Sequence, residues 1–131
     1  MELKGSKTEQ NLKATFAGES QAASKYTCFA SAAKEEDLGQ AATLFLNTAE
    51  DEIEHAKKAL DFLKGVGNTG ANLKAAADGE HYEWTEVYVD FERVAREEGF
   101  DEIADFFKDA AKMERQHEVK FNAWADIHGS A

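Results

Sequence analysis

The sequence contains the pattern Glu-x-x-His twice, at an offset of 62 residues. The first copy runs from Glu52 to His55 and the second from Glu114 to His117. On an α-helix, residues three positions apart lie on the same face with Cβ atoms about 5–6 Å apart, so one carboxylate and one imidazole can bind the same metal ion. The recurrence predicts two helices that each contribute a matched pair of metal ligands.

Other residues repeat at almost the same spacing. Tyr26 aligns with Tyr88 at an offset of 62, and Glu19 aligns with Glu80 at an offset of 61. Such a repeat indicates two helical hairpins of similar design. If the hairpins are related by a pseudo-twofold axis, each would supply half of one site.

The composition favours long helices. The 131 residues contain no proline and only nine glycines, so few residues interrupt a helix. Apolar residues at helical spacing predict four helices, at about residues 8–35, 38–64, 71–98 and 101–127. Leu44 and Phe62 are among the residues of the second helix that should face inward. The glycine-rich segment 65–70 would be the hinge between the hairpins 8–64 and 71–127. We therefore expect one all-α domain, residues 1–131, with the architecture of a four-helix bundle.

Charge and cysteine content exclude several classes of function. The net charge of −11 disfavours nucleic acids and anionic membranes as partners. The single cysteine, Cys28, cannot form a disulfide framework or a four-cysteine metal site within these residues. A lone cysteine, no secretory signal and no apolar run of about 18 residues together predict a cytoplasmic protein.

Seven potential metal ligands fall on the apolar faces of the predicted helices. Burying unpaired carboxylates is costly, and bound cations would remove that cost. Bundles with di-iron or di-manganese sites use a Glu on each of two helices and a Glu-x-x-His on each of the other two. The predicted ligands, one carboxylate more than this pattern needs, are Glu19, Glu52, His55, Glu80, Glu83, Glu114 and His117.

The donor types indicate which metal would bind. Mixed oxygen and nitrogen ligands suit iron or manganese, whereas zinc prefers four-coordinate sites but could also occupy this one. Tyr26 and Tyr88 lie seven or eight residues beyond a ligand carboxylate, on the same helix face. Each phenol would either hydrogen-bond a ligand carboxylate or serve as an ordinary core tyrosine.

Four stretches of the chain resemble the rubrerythrin family, and the resemblance extends over nearly its whole length. These stretches are residues 3–9, 16–22, 79–86 and 95–100. The resemblance implies a ferritin-like bundle with a non-haem di-iron centre. It also implies a peroxidase, in which the diferrous form reduces hydrogen peroxide to water in defence against oxidative stress.

The resemblance also implies a role for each ligand. Glu52 and Glu114 resemble the carboxylates that bridge the two irons, whereas Glu19 and Glu80 resemble terminal ligands. His117 resembles the permanent imidazole ligand of one iron.

Four residues would take part in catalysis if the resemblance holds. At the second iron, Glu83 resembles the ligand of the oxidised state and His55 the ligand that replaces it on reduction. Tyr26 and Tyr88 match family tyrosines that lie just outside the ligands.

Two departures from the family pattern affect these expectations. Typical rubrerythrins carry a C-terminal rubredoxin-like domain with four iron-binding cysteines, and this sequence ends at Ala131 without one. We therefore expect a separate electron donor, such as a rubredoxin-like protein. Val89 stands where the family usually has proline, which would change the local bend of the third helix.

Two other functions share these sequence features. One is a ferroxidase or iron-storage subunit of ferritin type, which has the same fold and most of the same ligands. The other is a structural bundle that binds no metal. The assembly state and the metal content separate these alternatives from a peroxidase.

The short hinge predicts an exchange of hairpins between two molecules. A ferritin-like bundle needs parallel second and third helices, so the connection must climb about 30 Å and step about 10 Å sideways. Residues 65–71 reach at most about 25–29 Å. We therefore expect a domain-swapped homodimer in which Glu52 and Glu114 of one site come from different molecules.

Overall fold

The computed structural model describes residues 1–128, all of whose regular structure is helical. The elements in chain order are α1 (Lys7–Glu35), α2 (Gly39–Phe62), α3 (Thr69–Tyr82), a π-helical segment (Glu83–Val87), α4 (Tyr88–Glu97) and α5 (Asp101–His128). The predicted all-α fold class is confirmed for the described residues. The chain divides into two compact units, Met1–Val66 and Gly67–Ala131, which we call the first and second hairpins.

The connection between the hairpins differs from the predicted hinge. Helix α2 ends at Phe62 and α3 begins at Thr69, so the connection comprises residues 63–68 rather than 65–70. Asn68 caps α3, because its Oδ1 accepts a hydrogen bond from the Ala71 backbone N–H at 2.8 Å. This cap allows the helix to begin before Gly70, which is buried inside it.

The third predicted helix is not continuous. Five residues, Glu83–Val87, form a π-helical segment between α3 and α4. A π-helical segment is rare, and within α-helices it often occurs at functional sites. Here it starts at Glu83, one of the predicted ligands.

Alanines form the buried core within each hairpin. In the first hairpin, Ala30, Ala33 and Ala42 form a cluster against which Phe45 and Leu46 pack. Small side chains let two helices approach closely, so these alanines set the spacing of α1 and α2. The second hairpin buries Ala77, Ala95 and Ala104.

Several large apolar side chains remain outside this core. Leu44 and Phe62 were expected to face inward, but they are 64% and 58% exposed in the single chain. Periodicity identifies the apolar face of a helix without identifying what covers it. No helix within residues 1–128 is long and apolar enough to cross a lipid bilayer.

The turn within the first hairpin and the turn within the second have the same geometry but different residues. Asp37 in the first turn and Gly99 in the second both adopt positive φ, at 61° and 87°. In each turn the next residue donates a backbone hydrogen bond back to an alanine carbonyl, Leu38 to Ala33 and Phe100 to Ala95. The left-handed conformation costs nothing at a glycine but is strained at an aspartate.

We expect the free energy of unfolding of the Asp37→Gly variant to be about 0.5–1 kcal/mol higher than that of the unmodified protein, because glycine removes the strain of the left-handed backbone. Urea unfolding of the metal-free protein measures this difference. The reciprocal control is Gly99→Ala, which should lower stability by about 1 kcal/mol. A less stable Asp37→Gly variant would show that the Asp37 side chain stabilises the turn.

Candidate metal centre

The first hairpin brings three predicted ligands together. Glu19 lies on α1, and Glu52 and His55 lie one turn apart on α2. One ligand atom from each residue falls within 4.8 Å of the others. The His55 Nδ1 and the Glu19 Oε2 are 2.9 Å apart, which is hydrogen-bond distance.

Proton sharing links these three side chains. A hydrogen bond from Glu52, reinforced by one from His55, lowers the pKa of Glu19. The same bond to Glu19, together with burial, raises the pKa of Glu52. The bond to the Glu19 carboxylate raises the pKa of His55. Two carboxylates and an imidazole therefore share protons at one place. A bound metal cation could supply the positive charge that these protons now provide.

The second hairpin contains a matching set. Glu80 on α3 and Glu114 and His117 on α5 also offer ligand atoms within 4.8 Å of one another. The Nδ1 of His117 lies 3.4 Å from the Glu80 Oε1 and 4.0 Å from the Glu114 Oε2. Glu83, at the start of the π-helical segment, hydrogen-bonds Glu114 and adds a fourth member.

Crowding of carboxylates is more pronounced in this second set. The hydrogen bond to Glu80, with burial, raises the pKa of Glu114. The hydrogen bond to Glu114, with burial, raises the pKa of Glu83. Neither carboxyl group is as easily ionised here as in water, because the charges repel one another and are partly desolvated.

Within residues 1–128, the Oε2 of Glu80 in the second set is buried and has no hydrogen-bond partner. A buried carboxylate oxygen normally accepts a hydrogen bond, and leaving it unpaired costs free energy. A cation bound at this position would satisfy the oxygen. Hard carboxylate oxygens with one imidazole in each set are donors suited to iron or manganese, so the residues present fit the predicted metal.

The predicted tyrosines lie at equivalent places in matching aromatic clusters. The ring centroid of Tyr26 lies 6.3 Å from that of Phe29 and 6.2 Å from that of Phe45. In the second hairpin Tyr88 lies 6.0 Å from the ring centroids of both Phe91 and Phe107, which are the counterparts at offset 62.

The two tyrosines differ in their relation to the ligands. Burial, followed by the charges of Glu83 and Glu114, raises the pKa of Tyr88 and keeps this phenol protonated near the second set. Within residues 1–128, neither Tyr26 nor Tyr88 hydrogen-bonds a predicted ligand carboxylate. In the single chain both tyrosines are half-buried and pack against phenylalanine rings.

Sequence reasoning overlooked Glu118. This residue accepts a hydrogen bond from the Trp84 Nε1 at 2.5 Å, and the pair lies beside the second ligand set. No role was predicted for Glu118 from the sequence. One signal was available, because Glu118 follows Glu114 by four residues and shares its helix face.

Known proteins resemble this chain over most of its length. Residues 10–125 match the model of the Rubrerythrin family. A rubrerythrin of Porphyromonas gingivalis is 49% identical over 134 residues, which cover 92% of this chain and 67% of the relative. A rubrerythrin of Nitratidesulfovibrio vulgaris is 45% identical, with 91% and 69% covered. A nigerythrin of the same organism is 35% identical, with 88% and 64% covered.

Proposed function

Because this chain belongs to the rubrerythrin family, we propose that it is a non-haem di-iron peroxidase that reduces hydrogen peroxide to water. The observation that carries this proposal is the pair of matched ligand sets, each with two glutamates and one histidine within 4.8 Å. When bound, two ferrous ions would supply the two electrons needed to cleave the O–O bond. The protein would supply their ligands, the site for peroxide and the protons for the two water molecules.

The contacts within each set support distinct roles for the carboxylates. Glu114 hydrogen-bonds both Glu80 and Glu83, and is therefore the central member of its set. Glu52 occupies the equivalent position at offset 62 and hydrogen-bonds Glu19. We assign Glu52 and Glu114 as bridging ligands and Glu19 and Glu80 as terminal ligands.

The histidines would differ in how firmly they bind. His117 contacts two carboxylates and is proposed as a permanent ligand. The side chain of His55 is 65% exposed, and a single hydrogen bond to Glu19 holds it. This freedom supports a conditional role, in which His55 binds the reduced centre and Glu83 binds the oxidised one. Exchanging a neutral imidazole for a carboxylate would match the ligand charge to the oxidation state.

Tyr26 and Tyr88 are proposed to act at their hydroxyl groups. Each lies about two helical turns from a terminal carboxylate. The Tyr88 phenol stays protonated at neutral pH and so can donate a hydrogen bond. We propose that these hydroxyls orient a ligand carboxylate or peroxide once the centre is assembled.

We further propose that the protein is a domain-swapped homodimer. In a ferritin-like bundle α2 and α3 run parallel. The chain must then climb about 15 Å from Glu52 to Phe62 and about 16 Å from Thr69 to Glu80. The seven steps from Phe62 to Thr69 reach at most about 23–25 Å. Glu52 and Glu114 of one centre would therefore come from different molecules.

Exposed apolar side chains support a second copy as the partner. In the single chain Phe91, Ile103 and Phe106 are all at least 45% exposed. Contiguous exposed apolar surface usually marks an interface. A hairpin from a second molecule would cover it.

The electrons are proposed to come from a rubredoxin-like iron site that lies outside these residues. These 131 residues contain one cysteine, so they cannot build a four-cysteine iron site of their own. A lone cysteine also suits a reducing compartment, and the cytoplasm is the proposed location.

Stopped-flow mixing of the anaerobic iron-loaded protein with oxidants tests the peroxidase assignment. We expect hydrogen peroxide to oxidise the reduced protein faster than an equal concentration of dioxygen. The unloaded protein, mixed in the same way, provides the baseline. Oxidation no faster with peroxide than with dioxygen would contradict the assignment and favour a ferroxidase.

A further inference from the structure

A cluster of side chains lies beside the second ligand set but contains none of its ligands. Its centre is Glu118 on α5, whose side chain is 19% exposed. The Glu118 Oε1 accepts a hydrogen bond from the Trp84 Nε1 at 2.5 Å. The His81 Nδ1 lies 3.1 Å from both oxygens of the same carboxylate. One carboxylate thus joins α5 to two residues on the opposite helix.

His81 and Trp84 are neighbours of proposed metal ligands in the sequence. His81 follows Glu80, and Trp84 follows Glu83, so each contact of Glu118 is one residue away from a proposed ligand. The change from α-helix to π-helix occurs between them, after Tyr82. A helix that changes its winding needs external contacts to fix the direction of its side chains.

Further contacts hold the Trp84 ring in place. The His81 ring packs against it edge to face, with centroids 5.5 Å apart at 80°. The guanidinium carbon of Arg115 lies 5.3 Å from the centroid of the indole ring, which is a cation–π distance. Arg115 is three residues before Glu118, so one face of α5 supplies both contacts.

The first hairpin provides an internal comparison. The counterpart of Glu118, at an offset of 62, is Ala56. The counterpart of Trp84 is Ala23, at the offset of 61 that also relates Glu80 to Glu19. Both alanines are buried, so the first hairpin joins its helices here by close apolar packing. The polar cluster exists only in the hairpin that carries the additional carboxylate Glu83 and the π-helical segment.

We propose that Glu118 is a positioning residue, which holds Trp84 and His81 and thereby fixes the backbone that presents Glu80 and Glu83 to the metal. This inference rests on the proposed metal centre. Groups that orient metal ligands from outside typically contribute about 10- to 100-fold to metal affinity or activity. Glu118 acts here through the backbone of neighbouring residues rather than by contact with a ligand.

Cobalt(II) binding tests the role of Glu118 without a measurement of peroxide reduction. We expect Glu118→Ala to weaken cobalt(II) binding about 10-fold or more and to change the visible absorption of the bound ion, because the carboxylates of α3 lose their fixed direction. Glu118→Gln should retain most of the affinity, since its amide oxygen still accepts from the Trp84 N–H. Trp84→Phe removes that donor while keeping a ring and should weaken binding in the same way as Glu118→Ala.

The matched controls replace Asp109, an exposed carboxylate on the same helix. Asp109→Ala and Asp109→Asn should bind cobalt(II) with the affinity and spectrum of the unmodified protein. Thermal unfolding of the metal-free variants identifies a temperature at which all are folded, and binding is compared there.

Two results would overturn the proposal. One is a Glu118→Ala variant that binds cobalt(II) like Asp109→Ala, whatever its thermal stability. The other is an equal loss in Glu118→Gln and Glu118→Ala, because the hydrogen bond would then not be the cause. If the unmodified protein itself fails to bind cobalt(II) or iron(II), the metal centre is wrong rather than the role of Glu118.

Discussion

Replacing Glu114 with glutamine is expected to remove the metal centre and to lower the rate of peroxide reduction at least about 100-fold. Groups outside the ligands already contribute up to about 100-fold to metal affinity or activity, so the loss of a ligand should cost at least as much. Glu114 hydrogen-bonds both Glu80 and Glu83, so its carboxylate is central to the second set. Glutamine has nearly the same size but no charge, and only one of its two terminal atoms can bind a cation. A bridging ligand needs both oxygens.

Iron content after anaerobic loading, together with the rate of peroxide reduction, measures this effect. Glu102→Gln, at an exposed position on the same helix, is the matched control and should behave as the unmodified protein. A Glu114→Gln variant that retains its iron and a rate near that of the unmodified protein would contradict the assignment of Glu114 as a bridging ligand.

The metal-free Glu114→Gln variant should be at least as stable as the unmodified metal-free protein at neutral pH. The pKa of Glu114 is raised in the folded state. The folded protein therefore binds more protons at this site than the unfolded chain, and the ionised carboxylate opposes folding at neutral pH. A neutral amide removes this opposition. Urea unfolding thus separates loss of metal from loss of structure.

Two inactive variants should recover activity when they are mixed, if the hairpins are exchanged between molecules. Glu52→Gln affects the first hairpin and Glu114→Gln the second. In a swapped heterodimer of these chains, one centre receives both defects and the other receives none. Random pairing makes half of the dimers mixed, so unfolding and refolding the chains together should restore about one quarter of the unmodified activity.

A second mixture tests whether activity can return without the exchange of hairpins. Glu80→Gln and Glu114→Gln both affect the second hairpin, so every centre in their mixture keeps a defect and no activity should return. Size measurement by light scattering should give a dimer in both mixtures. A monomer at micromolar concentration, or no restoration with Glu52→Gln and Glu114→Gln, would contradict the exchange of hairpins.

Because helical spacing is regular, the sequence was sufficient to predict which of the proposed ligands lie close together. Glu52 and His55 are three residues apart on α2, and the structure brings both to Glu19 on α1. Such spacing depends only on the geometry of one helix and on which helix lies next to it. The all-α class followed in the same way, from the absence of proline and the apolar periodicity.

The π-helical segment could not be predicted from this periodicity. An added residue in one turn shifts every later side chain around the helix, but the apolar pattern of a five-residue stretch is too short to reveal it. The contact between Trp84 and Glu118 was missed for a different reason. It joins residues 34 positions apart, and its formation depends on the turn that this segment makes.

Exposure was predicted least well. Leu44 lies on an apolar helix face, and it was expected to be buried, yet it is 64% exposed in the single chain. An apolar face indicates that some surface will cover it but not which molecule supplies that surface. The proposed exchange of hairpins would supply it from a second copy.

An anaerobic titration tests the central claim, that two carboxylate–histidine sets together form one di-iron centre that reacts with peroxide. Iron(II) is added to the metal-free protein, bound iron is counted, and hydrogen peroxide is then added in small steps. We predict about two iron ions per chain, with both oxidised by about one equivalent of hydrogen peroxide. Binding of no iron, or a bound pair that hydrogen peroxide fails to oxidise, would contradict the claim.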